Sequence, residues 1–300
     1  MNNKIQIVEV GPRDGFQNLD EYIPVEQKLK IIEDLIDAGV SHIQHTSFVS
    51  PKAIPQLKDA GEITRILLKK YPFYDFFALI PNLYGARSAY ELGLRKVSYV
   101  ISLSSSHNMA NINRTHDESF AELKKILDAY KDLNVCVDVA TTFGCPFEGK
   151  YSTDVVLRFL ERIAKMGIKE MLLADTIGIA NPKQVREIVN AAVKEFPEVE
   201  FQVHIHDTRN MGMVNTLAAI ESGITKTQST LGGLGGCPFA PGASGNTATE
   251  DLVYMLNAMG YETGIDVDKL IEAAKYEKSF IKGNFSGHLL NIQNGQQCIN

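Results

Sequence analysis

The chain has 300 residues, 44% hydrophobic and 22% charged, with a formal net charge of -6 at pH 7. This is ordinary globular composition, and the acidic balance gives no electrostatic footprint for nucleic acid. No apolar run reaches the roughly 20 residues of a membrane span. No charged-then-apolar leader precedes the first strand-like run at 5–10, and Cys136, Cys145, Cys237 and Cys298 lack the paired spacing of a disulfide framework or a zinc ribbon. A reducing, cytoplasmic setting without a membrane partner is therefore expected.

In chain order, strands are predicted at 5–10, 42–46, 75–79, 96–102, 135–140, 170–174, 200–206 and 226–230. Helical patterns lie between them at 25–38, 119–130, 153–166, 182–195 and 213–222. In the first of these Leu29, Ile32, Leu35 and Ile36 recur at helical spacing. Pro182 suits the first turn of a helix, and Gly39, Gly93, Gly167 and Gly223 fall where left-handed caps end helices. Eight strands alternating with helices predict a parallel α/β protein, and the length suits a (β/α)8 TIM barrel over residues 1–264. A doubly wound open sheet is the alternative, weakened because no Gly-x-Gly-x-x-Gly follows the first strand. An eighth helix is expected at 248–260. A small helical extension at 265–300 should carry a helix at 269–280 and a polar end rich in Asn and Gln.

A barrel places its active residues just after strand C-termini, and polar residues gather at those positions. They include Arg13 and Asp14 after the first strand, Gln44, Thr46 and Ser47 at the second, and His107 and Asn111 after the fourth. Asp175 ends the sixth. In the run 200–206 side chains two apart share a face, so His204 and His206 point one way while Phe201, Val203 and Ile205 point the other. Two imidazoles on one face are half of a metal site. Taken alone, the pair reads more often as two histidines bonded inside a core. After the eighth strand, residues 232–246 mix six glycines with Cys237, Pro238, Pro241 and Asn246. Glycine alone would suit a plain surface connection. The added Cys, Pro and Asn predict a lid that carries a thiol into the site.

Assembled, these residues resemble the 3-hydroxy-3-methylglutaryl-CoA (HMG-CoA) lyases, within a wider family of metal-dependent barrel enzymes acting next to a carbonyl. The resemblance spans nearly the whole chain. It rests on Gly11-Pro12-Arg13-Asp14-Gly15, Thr46-Ser47-Phe48-Val49-Ser50-Pro51-Lys52, Gly144-Cys145-Pro146-Phe147-Glu148-Gly149-Lys150, Ala174-Asp175-Thr176-Ile177-Gly178, His204-x-His206-Asp207-Thr208 and the loop 235–246. It implies an acyl-CoA substrate and a divalent metal, Mg2+ or Mn2+, held by Asp14, His204, His206 and Asn246, an N/O donor set that suits such ions. Asp207, on the other strand face, is left a supporting role. The implied reaction is a retro-aldol cleavage to acetyl-CoA and acetoacetate. Arg13 would bind substrate and steady charge on the thioester oxygen, Cys237 would do acid/base work, and Asp175 would support the metal. Asn111 matches a position tied to substrate binding, with a loop asparagine bonding its own backbone as the alternative. A homodimer is expected.

The second strand departs from the family. Relatives carry Ile-Glu-x-Thr-Ser, where this chain has Ile43-Gln44-His45-Thr46-Ser47. A carboxylate expected beside metal and substrate hydroxyl has become the amide of Gln44, which cannot take and hold a proton. Arg209 also departs, adding a cation expected near the mouth. Three readings follow: a working HMG-CoA lyase, a sibling acyl-CoA lyase or aldolase with another substrate, or an acyl-CoA-binding protein with weak turnover.

Overall fold

The computed structural model describes residues 3–236 and 245–292. Eight parallel strands close into a barrel in chain order: β1 Gln6–Glu9, β2 His42–Ser47, β3 Asp75–Leu79, β4 Lys96–Ser102, β5 Asn134–Ala140, β6 Glu170–Asp175, β7 Glu200–Ile205 and β8 Lys226–Ser229. β1 pairs with both β2 and β8, which completes the ring. The predicted (β/α)8 barrel is thus the fold, and the open-sheet alternative falls away.

Alternation along each strand sorts the residues. Outward-facing Ile7, Ile43, Val97, Val137, Leu173 and Val203 join the buried faces of the surrounding helices in one apolar core. Among those helices are α1 Val25–Asp37, α2 Ala60–Lys70, α3 Leu83–Glu91, α4 Ser105–Ile112, α5 His116–Ala129, α6 Thr153–Ala164, α7 Pro182–Glu195 and α8 Gly212–Glu221. In α7, Pro182 takes the first position and Asn181 caps the helix by accepting from Gln184 N. Gly39, Gly93, Gly167 and Gly223 all close helices at positive φ, as the sequence reading expected.

The barrel interior is largely polar. At its floor, Lys226 bridges Glu170 at 2.9 Å and Glu200 at 2.7 Å, Lys96 reaches Asp75 at 3.3 Å, and His42 meets Asp75 at 2.9 Å. Above that ring, Gln202 donates to Glu170 at 3.0 Å and Gln228 donates to Gln202 at 3.2 Å. Burying so many polar groups is tolerable because each finds a partner within the wall.

Two further helices, α9 Thr249–Ala258 and α10 Val267–Phe280, follow the eighth strand. Glu250 of α9 and Glu277 of α10 lie fully buried near Glu9, with burial the largest cause of the upward shift of each carboxyl. No helix among the described residues is long and apolar enough to cross a membrane. Among the described cysteines, Cys136 and Cys145 are free and buried. Cys298 lies outside the described residues.

Candidate active site

The C-terminal ends of the strands surround a cavity of about 350 Å³ lined by Arg13, Asp14, Ser47, Asn111, Asp138, His204 and His206, among others. β1 leads straight into a single π turn, Gly11–Gly15, whose wider winding sets the neighbours Arg13 and Asp14 both at the cavity. β7 supplies the two histidines, with ring centroids 5.0 Å apart. Phe201, Val203 and Ile205 face the helices, so the period-2 reading of this strand holds. Ligand atoms of Asp14, His204 and His206 lie within 4.8 Å of one another.

Asn246 completes the corner. It pairs by an isolated bridge with His206, and its amide Nδ2 donates to Asp14 Oδ2 at 2.8 Å. The backbone permits this only because position 235 is glycine. A Cβ there would stand 2.5 Å from Asn246 Nδ2, at a φ of +152°. Asn246 Oδ1 and His206 Nδ1 are buried without hydrogen-bond partners. Buried orphan acceptors beside a carboxylate are what a cation would satisfy. Two imidazoles, a carboxylate and an amide oxygen also suit a hard or borderline divalent ion. The residues present therefore fit the metal.

Charge and tautomer are set by the surroundings. His204 donates from Nδ1 to Gln228 Oε1 at 3.1 Å, which leaves the Nε2 lone pair toward Asp14, 3.9 Å away. Burial first, then the neighbouring His206, push His204 down to about 3, and burial likewise lowers His206. Both rings are neutral at pH 7, the form that binds metal. For Asp14, burial would raise the carboxyl, but the ion pair with Arg13 and the Asn246 hydrogen bond outweigh it and hold Asp14 well below the usual range.

Gln44 and Asp175 lie outside the cavity lining. The Gln44 amide is fully buried behind Arg13, accepting from Arg13 Nε and donating to Ser98 Oγ at 2.8 Å. Asp175 turns its carboxylate to the backbone, accepting from Ile179 N and Ala180 N at 3.0 Å each, so it fixes the turn after β6. Asn111 sits at the exposed rim. Asp207 Oδ1 accepts from Gly212 N at 2.6 Å, at the start of α8. Arg209 is exposed after β7, and its Nη1 donates to the carbonyls of Ile177 and Gly178, both at 3.0 Å, so it clasps two loops together. Cys237 lies outside the described residues. The sequence reading missed Asp138, a carboxylate in mid-strand that lines the cavity. The alternation Cys136, Asp138, Ala140 marked it as inward-facing.

Barrels that gather cation ligands beside a fixed guanidinium at the C-terminal ends of their strands are metal-assisted enzymes, and this arrangement is of that class. The HMGL-like family profile matches residues 4–276, and the chain belongs to that family. Hydroxymethylglutaryl-CoA lyase YngG of Bacillus subtilis is 42% identical over 275 residues, 91% of this chain and 92% of the relative. The mitochondrial hydroxymethylglutaryl-CoA lyase of Homo sapiens is 41% identical over 275 residues, 91% of this chain and 84% of the relative. The solved structure of an HMG-CoA lyase from Acinetobacter baumannii, in complex with coenzyme A and 3-methylmalate, gives a TM-score of 0.92 at 40% identity. It covers 99% of this chain and 98% of that one.

Proposed function

We infer that this protein is a divalent-metal-dependent carbon–carbon lyase that splits HMG-CoA into acetyl-CoA and acetoacetate. The observation that carries the reading is the single corner where Asp14, His204, His206 and Asn246 meet beside Arg13, in a chain 42% identical to a lyase of that name. A Mg2+ or Mn2+ ion held by Asp14, His204, His206 and Asn246 would supply Lewis acidity for loss of the substrate's hydroxyl proton. Arg13, held by Gln44 on one side and Asp14 on the other, presents its remaining N–H groups to the thioester oxygen. It stabilises the enolate that forms when the bond breaks. Gln44 thus serves substrate binding by orienting Arg13, and Asp175 serves the site by fixing the turn after β6. Cys237 is assigned the proton transfer at the enolate carbon, and Asn111 a polar contact to the acyl-CoA at the rim. A homodimer in the cytoplasm completes the reading.

Gln44 favours a second reading, a sibling acyl-CoA lyase, because the relatives' carboxylate is missing from β2. One assay decides. Purified protein stripped with EDTA is given HMG-CoA with and without added Mn2+ or Mg2+, and acetoacetate is followed by a coupled reduction. Metal-restored acetoacetate is expected. Cleavage of other 3-hydroxyacyl-CoA thioesters but not of HMG-CoA would move the assignment to the sibling activity.

A further inference from the structure

A chain that cleaves a tertiary alcohol needs a group able to take the hydroxyl proton. Gln44 is unfit for this. Its Oε1 accepts from Arg13 Nε, its Nε2 donates to Ser98 Oγ at 2.8 Å, and an amide holds no extra proton near neutral pH. The hydrogen bonds continue past it. Having accepted from Gln44, Ser98 keeps its own hydroxyl proton, and that hydroxyl is among the groups that lower the Asp138 carboxyl. Arg13 donates to Gln44 and Gln44 to Ser98, a run of donors that leads toward the Asp138 carboxylate. Asp138 stands on β5 between Val137 and Val139, is 5% exposed, and lines the same cavity as Arg13, Asp14, His204 and His206.

We propose that Asp138 accepts the proton of the substrate's tertiary hydroxyl, so that the carboxylate the relatives carry on β2 has moved across the barrel to β5. The inference rests on the lyase reading above. The hydroxyl proton passes to Asp138, and the O–H bonding pair becomes the second bond of the acetoacetate ketone. The pair of the breaking C–C bond passes into the thioester enolate held by Arg13. The enolate carbon then takes up one proton and Asp138 returns one to solvent, so the cycle gains and loses none.

The surroundings suit that task. Burial lifts Asp138 to about 6, opposed by Arg13 from the turn after β1, by Ser98 on β4 and by Cys136 on β5 itself. Glu170 on β6 pushes the same way as burial, and Lys96 on β4 faces Glu170 at 3.6 Å. His204 and His206, elsewhere on the cavity wall, are neutral. A carboxylate titrating there is ionised at pH 7 yet basic enough to hold a proton.

The test compares wild type, Asp138→Asn, Gln44→Glu, the double variant Gln44→Glu/Asp138→Asn, and Ser98→Ala. Each is assayed for Mn2+-supported HMG-CoA cleavage from about pH 5 to about pH 9, with thermal melts alongside. Asp138→Asn is expected to lose about 10²–10⁴-fold in kcat at little change in KM. Wild type should show an acid limb that this variant lacks. Adding Gln44→Glu to Asp138→Asn should restore at least about tenfold, because a carboxylate returns to β2. Ser98→Ala removes a hydroxyl that lowers Asp138 and should move the acid limb upward. Asp138→Asn within about threefold of wild type, or a double variant no better than the single one, overturns the assignment. Should Asp138→Asn fail to fold, Ser98→Ala decides, and an unmoved acid limb counts against the proposal. A wild type that leaves HMG-CoA intact overturns the lyase reading and this one together. An active wild type indifferent to Asp138 leaves the lyase reading standing.

Discussion

Replacing Gln228 by leucine tests whether the metal corner is tuned from beneath. Gln228 is 2% exposed and uses both ends of its amide, accepting from His204 Nδ1 at 3.1 Å and donating to Gln202 Oε1 at 3.2 Å. Leucine fills similar space and makes neither bond. A buried N–H on His204 and a buried carbonyl on Gln202 then lose their partners at about 1–3 kcal/mol each, so stability should fall by about 2–6 kcal/mol. The same change frees the His204 ring to rotate or to carry its proton on the nitrogen that faces Asp14. Loss of such a supporting partner costs about 10–100-fold in metal affinity, which is about 1.4–2.8 kcal/mol. The assay is calorimetric titration of EDTA-stripped protein with MnCl2, beside a thermal melt of the same sample. A folded Gln228→Leu protein that binds Mn2+ within about twofold of wild type would refute the reasoning. A fall in Tm without a fall in affinity would mean that Gln228 packs the barrel but does not set the His204 tautomer.

Arg13→Lys keeps the charge but loses the fork that engages Gln44 and Asp14 at once and, in the proposed reading, the substrate; kcat should fall about 10²–10³-fold, read from initial rates at saturating Mn2+. Gly235→Ala drives a methyl to 2.5 Å from Asn246 Nδ2 at a strained φ and should weaken Mn2+ binding by about tenfold or more in the same titration. Glu250→Gln probes the buried acids. Burial raises Glu250 from 4.5 to about 8, so its contribution to stability is full below pH 4.5 and is lost as pH rises through 8. Wild-type Tm should therefore drop relative to the glutamine variant as pH goes from about 5 to about 9, by at most about 5 kcal/mol in stability. Parallel Tm curves across that range would show that Glu250 is not neutral in the fold.

Much of this architecture could be read from residues alone because the barrel wall obeys a strict two-residue rhythm. The predicted strands overlap the observed ones closely, and that rhythm placed His204 and His206 on one face. Three helices were passed over. α3 buries Gly85, Ala86 and Ala89, and α4 buries His107 and Asn108, so neither shows the large apolar stripe that marks a helix. α2 buries Ile63 and Leu67 at helical spacing, a pattern that was present in the sequence and was not used. Asn246 lies far along the chain from the adjacent Arg13 and Asp14, and only the family resemblance brought it to them before the fold did. Asp138 escaped because attention fell on residues beyond strand ends, while it stands within β5. β2 hides a further feature. Its pairing with β3 slips between Gln44 and Thr46, and the slip sends Ser47 toward the cavity. That irregularity exists only in the pairing of two strands, so neither strand's residues announce it.

The ladder of amides inside the barrel joins two regions that barrel enzymes usually keep apart, a floor that carries stability and a mouth that carries chemistry. Here His204 leans on Gln228, Gln228 on Gln202, and Gln202 on the Glu170–Lys226 pair. A substitution at Glu170, at the far end of the barrel from the cavity, would reach, through three hydrogen bonds, the imidazole proposed to hold the ion. Redesign of this enzyme's underside is therefore also redesign of the proposed metal corner.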